Sequence, residues 1–217
     1  MFIGHAAVAF AAKRAAPRAP LTLLTVAAYC ADLLWPIFLL LGWETVRIAP
    51  GITVMTPLDF VSYPISHSLV MLIVWGVVLG LITRAVTHDG RAAWWVGLLV
   101  VSHWVLDVVV HRADMPIWPG GPRVGFGLWN HPAVTVPLET LMLVAGLWLY
   151  LRSTRARGIA GHLSLWSMVG LLAFAYFFDL NGPPPPNEHA LAVFGLIGWV
   201  FVPWCVWIDK TRETRAA

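Results

Sequence analysis

Six stretches of this 217-residue chain, 21–42, 64–84, 93–111, 132–152, 163–180 and 189–208, are long and apolar enough to cross or nearly cross a bilayer. A helix rising about 1.5 Å per residue needs about 20 such residues to traverse roughly 30 Å of hydrocarbon. Turn-forming segments separate the runs: Ala49-Pro50-Gly51, Asp89-Gly90, the stretch from Pro116 to Pro122, Gly158 to Gly161, and the stiff corner Pro183-Pro184-Pro185-Pro186. Only 12% of the residues are charged, about half the share of roughly 25% found in a water-exposed domain. The expected fold is therefore all-α, a polytopic membrane bundle of six spans forming one membrane domain over 1–217.

Lys and Arg divide unevenly among the connections. With the N-terminus placed in the cytoplasm, only Arg47, Arg112 and Arg123 of the 14 basic residues fall on the far side. That leaves 14 − 3 = 11 inside, which is the bias that orients inner-membrane proteins. The expected location is the bacterial cytoplasmic membrane, with both termini in the cytoplasm. A net charge of +3 is too small an excess to argue for a nucleic-acid partner. Cys30 and Cys205 lie in separate apolar runs and read as buried, inert thiols. Residues 2–12 are too short to span, so a half-inserted or surface helix is expected there, with His5 near mid-membrane if Lys13 and Arg14 mark the interface.

A charge at the bilayer centre costs at least about 2.5–3.5 kcal/mol, which makes intramembrane ionisable residues candidates for function. Asp32 falls midway along the first span, His67 near the outer end of the second, and His103 and Asp107 in the third. Within Ser102 to His111, the residues His103, Asp107 and His111 recur every four positions and share one helix face. A His and an Asp one turn apart can ligate the same cation, or the Asp can orient the His; an interhelical hydrogen bond that only pins the bundle is the structural alternative. Ser66 and Ser68 beside His67 suit a helix start, but capping explains serine and not histidine. Asp59, His67, Asp107, His111, His131 and Glu139 all fall in the outer half of the six-span arrangement, which predicts a polar pocket opening outward.

Gly4-His5 opening a short helix, Asp32 in the first span, Ser66-His67-Ser68 and the His103-x-x-x-Asp107 pair together resemble the bacterial membrane-bound metal-dependent hydrolase family, the YdjM-like group. That family is similar to zinc-dependent phospholipase C, an all-helical fold with metals held by His and Asp from several helices. The resemblance implies metal-ligand roles for His5, Asp32, His67, His103 and Asp107. The chain departs from the family pattern in carrying one carboxylate in Ala31-Asp32-Leu33 and no Arg ahead of Ser66.

The expected chemistry is hydrolysis of a phosphoester or similar ester in a membrane lipid or lipid-linked substrate, by water activated on one or two divalent ions. Zinc suits the mixed ligand set best, with manganese the other choice. Asp59 or Glu139 is the expected proton acceptor, Arg112 or Arg123 the expected phosphate contact, and His111 and His131 are additional candidates. Two other classes stand beside this one: haem ligation by His67 and His103, and a small transporter or scaffold using Asp32 and Asp107 as cation sites.

Overall fold

A computed structural model describes residues 1–215. The chain opens with α1 (Ile3–Ala15), α2 (Leu21–Ala28) and α3 (Cys30–Leu40), followed by the hairpin β1 (Thr45–Ile48) and β2 (Leu58–Ser62). A single-turn α4 (Pro64–His67) leads into the long helices α5 (Leu69–Thr87) and α6 (Gly90–Val110). A second hairpin, β3 (Met115–Pro116) and β4 (Arg123–Val124), and a 3-10 turn (Leu128–Asn130) precede α7 (Pro132–Ser153). Then come β5 (Thr154–Ala156), α8 (Gly158–Asn181), α9 (Glu188–Gly195), a 3-10 segment (Leu196–Val200), α10 (Phe201–Thr211) and β6 (Arg212–Thr214).

The protein is an all-α membrane bundle. Helices α5, α6, α7, α8 and the continuous run Glu188–Thr211 are each long and apolar enough to cross a bilayer, and α2 with α3 meets the same requirement only as a pair, bent by 57° at its break, the shape of a broken span or a re-entrant loop. Their outer faces carry Leu81, Trp94, Leu141 and Phe174 largely uncovered, a surface suited to lipid and not to water. The three two-stranded antiparallel sheets are confined to the connections, where strands of two to five residues are too short to show alternation in the sequence.

The N-terminal helix is not a surface element. Nine of the 13 residues of α1 are buried, as befits a short helix that is small and apolar all round. It is the wall shared by two cores: Ile3, Ala7 and Phe10 pack with Leu147, Leu165 and Ile208, while Ala9 and Ala12 pack with Leu24, Val96 and Val100. Its approach to α7 is so close that a Cβ at Gly146 would stand 2.2 Å from the Ala7 carbonyl oxygen. The α5–α6 pair uses the same device, with a Cβ at Gly76 falling 2.8 Å from the Gly97 oxygen. Cys30 and Cys205 are buried free thiols.

Side chains from distant elements cap the broken helices. Asp209 of α10 accepts from the Leu21 and Thr22 amides at 2.7 and 2.9 Å, supplying the acceptor that Pro20 cannot. The bend at Tyr29 is held by tertiary hydrogen bonds on both sides: the Tyr29 hydroxyl donates to the Phe2 carbonyl at 3.1 Å, and the Ala28 carbonyl accepts from a histidine on α6, as described below.

Candidate metal centre

Four helices start or end at one place. The first turn of α1 brings His5, the start of α3 brings Asp32, the end of α4 brings His67, and the last two turns of α6 bring His103 and Asp107. His111 follows as the C-cap of α6. A helix of four-residue spacing puts His103, Asp107 and His111 in line, and the other three residues come to that line from elsewhere.

Asp107 is the hub. Its Oδ1 lies 3.1 Å from His5 Nε2 and in contact with the Met1 amino nitrogen. Its Oδ2 lies 3.0 Å from His103 Nε2 and 4.0 Å from the Nε2 atoms of both His67 and His111. Asp32 Oδ1 stands 3.5 Å from His67 Nε2 and 3.6 Å from His103 Nε2. Two triads, His5–His103–Asp107 and Asp32–His67–His103, have ligand atoms mutually within 4.8 Å. The imidazoles and Asp107 are at most 4% exposed, whereas the Asp32 side chain is 41% exposed, so the cluster opens at Asp32.

Most of the imidazoles are fixed from behind. His103 Nδ1 is 2.9 Å from the Ala28 carbonyl freed at the α2–α3 bend. A carbonyl only accepts, so Nδ1 carries the proton and a neutral His103 presents a bare Nε2. Among the described residues that buried Nε2 has no hydrogen-bond partner, although a carboxylate oxygen sits 3.0 Å away. Two such atoms need either a proton or a metal ion between them. His111 Nδ1 is held by Asp114 at 2.9 Å, and Tyr63 stands behind both. His67 Nδ1 meets Ser66 Oγ at 2.7 Å. The His5 ring lies flat on that of His103, 3.8 Å between centroids and 4° from parallel, a stack in which two imidazolium charges would repel.

The separations suit a metal. Ligands about 2.0–2.1 Å from a tetrahedral ion stand roughly 3.3–3.4 Å apart, and the contacts of 3.0, 3.5 and 3.6 Å between the Nε2 atoms and the Asp oxygens bracket that edge. An aromatic group of Trp35, Phe60, Tyr63 and Trp129 covers the cluster on its loop side.

The remaining sequence candidates have other duties. Asp59 pairs across the β1–β2 hairpin with Arg47 at 3.2 Å and also with Arg112; both oxygens are taken. Arg112 is shared between Asp59 and Asp114, and the exposed Arg123 donates from one nitrogen to the Val61 carbonyl at 2.7 Å. Glu139 is 1% exposed and its Oε2 accepts the Phe2 and Gly4 amides at 2.9 and 3.2 Å. It caps α1 and thereby fixes His5. His131 is the exposed N-cap residue of α7, away from the cluster. The residue that sequence reasoning missed is Glu44, buried behind Ser66 and bonded to it at 2.6 Å. No known family model, curated protein or solved structure matches this chain.

Proposed function

We propose that this membrane protein is a metal-dependent hydrolase whose ion is held by His5, Asp32, His67, His103 and Asp107, with His111 beside them. The observation that carries the reading is the buried, unpartnered His103 Nε2 facing the Asp107 carboxylate at 3.0 Å. Two carboxylates balance the charge of one divalent ion, and the mixed imidazole and carboxylate set favours zinc, with manganese next. The same residues carry the resemblance to the membrane-bound metal-dependent hydrolases.

An ion so held supplies a water of lowered pKa and polarises an ester or phosphoryl oxygen. The chain's own groups then divide the remaining work. Asp32, the one open ligand, marks the side from which substrate approaches. His111, oriented by Asp114 through Nδ1, turns Nε2 inward and can take a proton there. Arg112 and Arg123, on the connections beside the cluster's helices, are the cations that can meet the negative charge of a phosphoester beside the ion. The substrate class is a lipid or lipid-linked ester, supported by the position of the cluster among the spans. The distribution of Lys and Arg supports a cytoplasmic-membrane location with both termini inside and the cluster near the outer face.

Elemental analysis of detergent-purified protein tests the reading beside a His103→Ala, Asp107→Ala double variant. The expected result is stoichiometric zinc or manganese in the parent and its loss from the variant. Equal trace metal in both would leave the Met1 amino group and protonated imidazoles as the neutralising charges and end the hydrolase proposal. An intense Soret band in the parent would transfer the site to haem.

A further inference from the structure

Glu44 lies in the link between α3 and β1, 22 residues ahead of Ser66, yet it is only 2% exposed. Both of its oxygens are committed to α4. Oε1 accepts the backbone N–H groups of Ile65 and Ser66 at 2.7 and 2.8 Å, and Oε2 accepts the Ser66 hydroxyl at 2.6 Å. Helix α4 has no cap from its own N-cap residue, so Glu44 satisfies amides that would otherwise be orphaned.

The direction of these bonds has a chemical consequence two atoms away. An ionised carboxylate has no proton to donate, so the single hydroxyl proton of Ser66 points to Glu44. The Ser66 oxygen, 2.7 Å from His67 Nδ1, is left with lone pairs and must accept there. His67 therefore carries its proton on Nδ1 and turns a bare Nε2 towards Asp32 Oδ1, 3.5 Å away. A carbonyl imposes this tautomer on His103; at His67 a side-chain relay imposes it.

We propose that Glu44 is a positioning residue that, acting through Ser66, sets the tautomer of His67 and so makes its Nε2 a metal ligand. The inference rests on the metal reading of the cluster. The double anchoring of Oε1 on backbone amides keeps the carboxylate from rotating, so the polarity of the relay is built into the fold. Partners of this kind behind a ligating histidine are worth about 10–100-fold in metal affinity.

Glu44→Gln tests it without removing an atom's worth of volume. The amide oxygen keeps the two backbone bonds, while the amide nitrogen takes the place of Oε2 and donates to Ser66. The Ser66 proton must then turn to His67 Nδ1, which moves the imidazole proton to Nε2 and occupies the ligating lone pair. In full-length protein in detergent, zinc affinity measured against a chromophoric chelator is expected to fall about 10–100-fold. In the metal-free protein, the nitrogen-15 correlations of His67 are expected to switch from Nδ1–H to Nε2–H, a change that loss of a merely structural contact would not produce. Ser66→Ala should weaken zinc and Ser66→Thr, which keeps the hydroxyl, should restore it; this pair decides the matter if Glu44→Gln does not fold. Unchanged tautomer and affinity in Glu44→Gln would overturn the relay while leaving the parent's metal binding intact. A parent that binds neither zinc nor manganese would instead overturn the metal reading, and the metal-free tautomer would still report on Glu44.

Discussion

Gly146→Ala is the smallest change that tests whether α1 is as deeply seated as the site requires. The added Cβ would stand 2.2 Å from the Ala7 carbonyl oxygen and 2.8 Å from its carbon, where ordinary carbon–oxygen contact begins at about 3.3 Å. About 1 Å must be found, and the opposing atoms are backbone that no rotamer change can clear. Helix α1 is packed on its other side against α2 and α6, so the strain cannot be relieved by simple retreat. Overpacking of this kind costs about 1–3 kcal/mol, which for a chain of this size lowers the unfolding midpoint by about 2–12 °C. His5 lies two residues before Ala7 and would move with the helix. A displacement of about 1 Å against a ligand bond of about 2 Å removes that ligand, so zinc affinity should fall together with the midpoint. Gly170→Ala in α8, where a Cβ meets nothing within 4 Å, is the control: it should raise the midpoint slightly, by about 0.5–1 kcal/mol of helix propensity, and leave zinc affinity unchanged. If thermal unfolding and zinc titration in detergent cannot tell the two variants apart, the close α1–α7 contact is wrong and His5 is not held as described.

Glu139→Ala should cost about 1–3 kcal/mol, because it leaves the Phe2 and Gly4 amides without an acceptor, and Glu139→Gln should recover most of that in thermal unfolding and in zinc affinity. Failure of the glutamine to rescue hydrolysis while the metal is retained would make Glu139 a proton acceptor after all. Asp59→Asn should leave metal content and hydrolysis intact and change stability by no more than about 1 kcal/mol, since the pairs it loses are partly exposed; an inactive but metal-replete variant would contradict this. At the opposite end of the bundle, hydrogen bonds from Arg155 and then Arg157 hold the Glu213 carboxyl below its ordinary range. A group depressed on folding stabilises above its unfolded value and ceases to do so as the pH falls through the folded one. Protection factors of the β5–β6 amides, corrected for intrinsic exchange, should therefore fall on acidification, and Glu213→Gln should abolish that response; an identical acid response in the variant would refute the assignment.

Hydropathy placed the spans within a few residues: 132–152 against Pro132–Ser153, and 93–111 against Gly90–Val110. It could not show that the first is broken at Tyr29, because the bend is held by hydrogen bonds to Phe2 and His103 rather than by a local breaker. His103 and Asp107 were legible because one helical turn fixes their relation. Asp59 and Glu139 show what composition and depth leave out: they reveal that a carboxylate is present, but not whether its oxygens already serve an arginine or a helix end. Glu44 left no periodic signal at all, being joined to its partner by a connection whose path only the folded chain defines. The one hint was Ser66 itself, a hydroxyl beside a buried histidine that needed something to donate to.

The seating of α1 against α7 has a consequence for how the protein is made. Phe2 and Glu139 are 137 residues apart, so at about 5–20 residues per second the first helix waits roughly 7–27 s for its partner to leave the ribosome. Until then α1 can lie only against α2 and α6, and an ion captured by His5, His103 and Asp107 would lack the wall that α7 supplies. Completion of the centre is thus a late event in biogenesis, and truncation of the nascent chain before α7 should yield inserted spans that lack a finished centre.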